Sequence, residues 1–221
     1  AVILPEDTCL QGLNDSKALT ARRRETLFEA ICQAASAWAV ASASVEEIDA
    51  HNILQASYLA MRRALTDLAV TPDYVLVDGN GLPESGLREL AVVDGDARSA
   101  SIAAASILAK VTRDRQMREL DAKYPDYGFA RHKGYGSPDH LAALQRLGPC
   151  PIHRRSFQGV GQSIRVTSDD GRAFAEGIDQ ASDLVELEAI GKSIGLAGGD
   201  LDTAEVEALR QRYKERRSQL S

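Results

Sequence analysis

Two stretches only a few residues apart, DYVLVDGNG and LAVVDGD, each carry a short apolar run into aspartate. Runs of this length, bounded by Gly, Asn and Asp, read as strands. The segment that follows, SIAAASILAKVTRDRQMREL (101–120), reads as a helix whose first half is small and apolar enough to be buried all round. Strands alternating with helices to about residue 160 indicate an α/β domain. In such domains ligand groups sit at strand ends, because the rigid sheet holds them while the loops leave them open. Asp78 and Asp96, closing the two runs, are therefore candidate site residues. The plainer reading of Asp78 is a cap on the Asp-Gly-Asn-Gly turn that follows it.

Before this pair, AVIL reads as the end of a strand and GLNDSKAL as a polar loop. Thr20 is placed to cap a helix over TARRRETLFEAICQAAS, with Leu27 and Ile31 on its apolar face. WAVASAS, from Trp38, alternates as a strand does. VEEIDAHNILQASYLAMRRALTDLA reads as a short turn and a long helix, with Ile53, Leu54, Tyr58, Met61, Leu65 and Leu68 at helical spacing and expected in the core. Beyond a glycine-rich loop, Ser137 or Pro138 opens a helix over PDHLAALQRLG. From residue 161 the character changes: IRVTSDDGRAF reads as a hairpin or extended segment. Two helices follow, separated by AGGD, the second carrying a thin apolar stripe of Val206, Leu209 and Tyr213. Residues 1–160 and an acidic helical tail over 161–221 are the expected division.

The 221 residues carry a net charge of −6, which taken alone argues against a nucleic-acid partner. The distribution says otherwise. Residues 98–160 hold eleven Lys/Arg against five Asp/Glu, a net +6, whereas residues 161–221 hold eight against twelve and mask it. A basic segment next to carboxylates suits a metal-dependent site acting on a polyanion; the alternative is a solvated helix face. Three widely spaced cysteines fit neither a disulfide framework nor a zinc pattern, so a reducing, cytoplasmic setting is expected. No stretch approaches a membrane span or a signal peptide, and the chain opens on Ala rather than Met.

If the two strands share a sheet and end on one side, their carboxylates converge. Like charges held close resist joint ionisation unless a cation lies between them. A few hard oxygen donors suit Mg²⁺ or Mn²⁺, and with phosphate-binding cations nearby the natural reaction is two-metal phosphodiester hydrolysis. Asp94 carries low weight, since it shares a face with Asp96 only if the strand persists through Gly95.

The run VVDGDARSASIAAASILAKVTRD resembles the most distinctive block of type 2 ribonucleases H, the bacterial ribonuclease HII family. GLNDSKALT, VLVDGN and HKGYGSPDHLAALQRLGPCPIHRRSF agree with that family in order and spacing, over residues 1 to about 160. The resemblance implies a ribonuclease H-like mixed sheet flanked by helices, with a C-terminal helical extension outside the family pattern. It implies an endoribonuclease that uses Mn²⁺ or Mg²⁺, and a monomer is expected. Its substrates would be the RNA strand of RNA–DNA hybrids and ribonucleotides embedded in duplex DNA, cut on the 5′ side to leave 3′-hydroxyl and 5′-phosphate ends.

By position in the matching blocks, Asp78 and Asp96 correspond to metal-binding catalytic carboxylates. Asp114 corresponds to a further acid near the metals, or to one acting behind them. Lys17, Ser106 and Lys110 correspond to groups around the substrate phosphates. Tyr135 corresponds to the tyrosine set against the sugar at the RNA–DNA junction, where sensing a 2′-hydroxyl calls for close, flat contact; the alternative is a loop tyrosine packed on the following helix. His132, His153, Arg154 and Arg155 are candidate phosphate contacts, His153 equally a structural hydrogen-bonder.

One departure stands against these matches. The family's first strand carries Asp-Glu-x-Gly-Arg-Gly, and that motif is absent from the 221 residues; AVIL represents only its continuation. SDDGRAF is weakly similar, with its acids and glycines misplaced. The competing expectation is therefore a catalytically impaired hybrid-binding remnant, and a third makes the tail an interaction module whose partner the sequence does not name.

Overall fold

In the computed structural model the described residues are 1–13, 16–156, 160, 168–196, 201 and 203–220, excepting the side chains of 203 and 204. The chain divides into two units, Ala1–Pro125 with Phe129–Lys133, and Asp126–Gly128 with Gly134–Ser221.

The first unit is built on one long helix. Strand β1 (Val2–Ile3) pairs antiparallel with β2 (Ala37–Trp38), and helix α1 (Ala21–Ala34) lies between them in the chain. Thr20 accepts the Arg23 N–H and caps α1, as its hydroxyl suggested. Helices α2 (Val45–His51) and α3 (Ile53–Thr66) precede the parallel pair β3 (Val75–Asp78) and β4 (Glu89–Val92). A single helical turn, α4 (Gly95–Arg98), then leads into α5 (Ala100–Lys123), and α6 (Phe129–His132) completes the unit.

The core forms where α5 meets α1. Leu27 and Ile31 of α1 pack on Ala104, Ile107, Leu108 and Val111 of α5, with Val2, Leu4, Leu10 and Leu13 alongside. The run of small residues in α5 lets other elements approach closely, and each large aliphatic side chain buried there contributes about 1.5–3 kcal/mol. The burial is not all round, since Ala109 is exposed.

The α/β class therefore holds, with antiparallel and parallel ladders both present. The sheet itself is two separate two-stranded ladders among the described residues.

Four expectations need correction. WAVASAS, from Trp38, gives only the last residue of β2, which is Ala37–Trp38. VEEIDAH is a helix rather than a turn, because Ser44 and Glu47 form a reciprocal capping box, and Asn52, at φ +71°, separates it from α3. Ile53, Leu54 and Met61 are exposed (53%, 54% and 37%), and the buried positions of α3 are Ala56 and Ala64. Helical spacing marked an apolar stripe without showing which part of it would be covered. YVLV is buried on one face only: Val75 and Val77 point inward, while Tyr74 and Leu76 stand out.

The second unit contains a 3₁₀ turn (Pro125–Tyr127, of which 126–127 belong here) and α7 (Pro138–Leu147), capped by Ser137. Three further helices are α8 (Asp169–Gln180), α9 (Leu184–Leu196) and α10 (Thr203–Leu220). SDDGRAF is neither hairpin nor extended, because Ser168 caps α8 by accepting the Gly171 N–H; 161–167 lie outside the described residues. Helices α8–α10 form a core of their own around Ile178, Leu187, Ile194 and Leu209. Val206 and Tyr213 pack against it, so the expected stripe serves that core. Gly191 is needed there, since a Cβ would lie 2.8 Å from the Tyr213 ring. No described helix is long and apolar enough to cross a membrane.

Candidate active site

Strand alternation decides where Asp78 points. With Val75 and Val77 turned to the core, Leu76 and Asp78 face outward, and Asp78 is exposed at the last rung of the ladder, opposite Val92. The Gly79 N–H reaches the Val92 carbonyl at 3.0 Å and closes the pair. Strand β4 ends at Val92, four residues short of Asp96. Asp94 adopts the left-handed conformation at φ +53°, and the chain turns into α4. Asp96 is thus the second residue of a helical turn and not a strand terminus.

That turn is held by Asp78 itself. Its Oδ1 accepts the Gly95 N–H at 2.9 Å, fastening the backbone next to Asp96. Gly95 is buried, and a Cβ on it would lie 2.7 Å from Ile102 Cδ1 and 3.1 Å from Asp78 Oδ1. Only glycine lets the chain pass this close. Oδ2 of Asp78 makes no hydrogen bond or ion pair among the described residues. Asp78 therefore does cap a turn, though on the neighbouring strand's continuation, and one oxygen remains open.

Asp96 borders a cleft of about 340 Å³ whose other walls include Leu4, Cys9, Leu10 and Leu13. Asp78 is not among its lining residues. The two strands are adjacent, as expected, and this cleft is lined by Asp96 and not by Asp78.

The remaining residues of the first unit form a second cluster on α5. Asp114 is an ion-pair centre: Lys110 Nζ lies 2.7 Å from its Oδ1 and Arg24 Nη2 lies 3.6 Å from its Oδ2. Arg24 also donates to the Ser16 and Leu19 carbonyls at 2.8 and 2.5 Å. Ser106 shares a 2.9 Å hydrogen bond with the Ser16 hydroxyl, and Ser16 is buried. This network ties the loop carrying exposed Lys17 to α1 and α5. Ser16, Arg24 and Gly95 escaped the sequence reading. Arg24 was hidden in an Arg-Arg-Arg run in which nothing marks the inward residue. Ser16 and Gly95 are small residues next to Lys17 and Asp96, with nothing in their spacing to mark them.

Tyr135 lies in the second unit. Its side chain is 70% exposed, so it does not pack on the following helix. His153 is a hydrogen-bonder, Nε2 to Nε2 with buried His140 at 3.0 Å. His132 packs edge-on against Phe129.

Comparison with known proteins accounts for these blocks. The Ribonuclease HII family profile matches residues 1–160. Ribonuclease HII 1 of Methylibium petroleiphilum is 58% identical over 164 residues, covering 74% of this chain and 83% of its own length. Ribonuclease HII of an Anaeromyxobacter species is 51% identical over 183 residues, 83% of this chain and 58% of that protein. Among solved structures, ribonuclease H2 from Pyrococcus horikoshii is 27% identical, with a TM-score of 0.59 over 69% of this chain and 80% of that one. With a family match across 160 of its 221 residues, the chain belongs to the ribonuclease HII family.

Proposed function

We propose that the chain carries the substrate-cleaving acids of a metal-dependent endoribonuclease acting on RNA–DNA hybrids and on ribonucleotides embedded in duplex DNA. The observation that carries this reading is Asp78, set on the open face of a strand end and bound to the main chain next to Asp96, within the matched region.

The donor set fits a hard divalent ion in kind. Carboxylate oxygens are what Mn²⁺ and Mg²⁺ take, and Asp78 and Asp96 are the residues that would hold one. Such an ion would supply an activated water and charge neutralisation at the phosphate. In number the set is short: among the described residues no group of three or more His, Cys, Asp and Glu converges.

The residues present have separable tasks. Asp78 is oriented by the Gly95 N–H, so its open oxygen is fixed before anything binds. Lys17, on the loop pinned through Ser16 and Arg24, offers an ammonium to a backbone phosphate. Lys110 is held by Asp114 and keeps that loop's anchor in place. Tyr135 presents a flat exposed ring suited to the shallow minor groove of a hybrid, where the 2′-hydroxyl lies.

A second reading has its own support. Two carboxylates and no Asp-Glu-x-Gly-Arg-Gly in 221 residues favour a chain that binds hybrid and cuts it slowly. Mg²⁺ gives up water reluctantly, so Asp78 and Asp96 alone would hold it loosely. The test is cleavage of a duplex with one embedded ribonucleotide, in Mn²⁺ and in Mg²⁺, by this chain and by a version extended with a segment bearing that motif. Little cutting by the chain, restored by extension and lost again in Asp78→Asn, is expected. Cutting that survives Asp78→Asn would overturn the assignment of the acid.

A further inference from the structure

We propose that His140 and His153 are positioning residues for Tyr135, locked in opposite tautomers by one chain of hydrogen bonds. This rests on the reading of Tyr135 as a substrate contact, and deepens it by naming what holds that residue in place.

Gly134 (φ +81°) turns the backbone ahead of Tyr135, and Ser137 caps α7 two residues later. The Tyr135 carbonyl accepts two hydrogen bonds, from the Ser137 N–H at 2.8 Å and from His140 Nδ1 at 2.9 Å. A carbonyl only accepts, so His140 carries its proton on Nδ1. His140 is 2% exposed. Its Nε2 lies 3.0 Å from His153 Nε2, and with Nδ1 already the donor, His140 Nε2 accepts and His153 Nε2–H donates. His153 Nδ1 must then be the bare nitrogen. The Cys150 N–H points at it from 3.0 Å, with the Cys150 sulfur at 3.1 Å and the Cys150 carbonyl farther off at 3.3 Å; the shorter backbone contact, from a group that only donates, is the one a bare nitrogen satisfies. Burial pushes the Cys150 thiol up, which keeps a neutral S–H beside that nitrogen at neutral pH.

Each ring's tautomer is thus set by the group behind it, from the Cys150 backbone to the Tyr135 carbonyl. The His153 ring is further steadied against Tyr127, at 5.1 Å between centroids, whose hydroxyl donates to the Gly148 carbonyl at 2.7 Å. The result is an exposed side chain on a main chain fastened from the interior. A loop tyrosine held only by its own turn would meet a duplex in many orientations. Fixing the carbonyl removes that freedom before binding.

The measurement needs no variant at first. Long-range ¹H–¹⁵N correlation of the imidazoles in the intact chain should show His140 protonated at Nδ1 and His153 at Nε2. The same tautomer in both rings, or the reverse assignment, would overturn the proposal. Amide exchange at Gly136 and Ser137 is the second readout. His140→Phe should speed it by about tenfold, the worth of one hydrogen bond. His140→Asn, whose amide N–H can stand where Nδ1–H stood, should restore most of the protection. Equal exchange in the two variants would count against positioning. Hybrid affinity of Tyr135→Ala is measured separately. If that variant binds unchanged while the tautomers are as stated, the substrate role of Tyr135 fails and the fastening of its backbone stands.

Discussion

Asp78 and Asp114 enter the sequence as acids of one family site, and they end in opposite circumstances. Asp78 is exposed, takes a single backbone N–H and keeps an oxygen open. Asp114 is largely buried and clasped by Lys110 and Arg24. Helix α5 packs against the strand that carries Asp78 and itself carries Asp114. A carboxylate at a strand end is held by backbone and remains available. A carboxylate on a helix flank, within reach of long cations, becomes part of the frame. Residue type does not separate the two, but the element each sits on does.

This contrast can be broken by exchanging the roles. Asp114→Ala strands two cations in a poorly hydrated setting and should cost about 2 kcal/mol, seen as a lower denaturant midpoint. Asp78→Asn keeps an oxygen for the Gly95 N–H and should change stability by less than ~0.5 kcal/mol. Equal losses would erase the distinction.

Salt sharpens it next. Hybrid affinity should fall about tenfold between roughly 50 and 200 mM salt if two phosphates are neutralised. Lys110→Ala should leave that slope unchanged, because Asp114 already balances the ammonium. A flat salt dependence would reduce the basic block to a solvated face.

Gly95→Ala tests the acid corner from the backbone side. The added methyl meets Ile102 and Asp78, and overpacking of this kind should cost about 1 kcal/mol. Melting temperature would register it, and an unchanged value would show that the corner is slack.

The smallest effect concerns a surface acid. The Arg63 guanidinium beside Glu47 holds its carboxyl at about 2, against an ordinary 4.5. Because the folded value is depressed, the contribution is fully present above about pH 4.5 and is lost as the pH falls towards 2. Exchange at the Glu47 amide, bonded to Ser44, should rise only within that window. A rise above pH 5 would point to another group.

How much of this was legible follows the same division. The long α5, the caps at Thr20 and Ser137 and the two apolar runs that become β3 and β4 are local patterns, visible in spacing and in side-chain chemistry. The position of Asp96 was not, because a single left-handed Asp94 turned a strand into a helix four residues early. Asp94-Gly95 carried the cue, but an Asp-Gly pair reads equally well as a strand's last turn. The partners of Asp114 were hidden for another reason. Arg24 lies 90 residues away along the chain, and which arginine of three faces inward depends on how α1 docks. Residues at Ile53 and Leu54 showed the converse failure, a helical stripe with no cover.

The most direct test is Mn²⁺ binding, followed by the paramagnetic broadening of assigned amide signals in the full chain and two variants. The assignment predicts broadening centred on Asp78, Gly95 and Asp96, retained in Asp114→Asn and weakened about tenfold or more in Asp78→Asn. Broadening abolished by Asp114→Asn and untouched by Asp78→Asn would place the metal on the helix flank and contradict it.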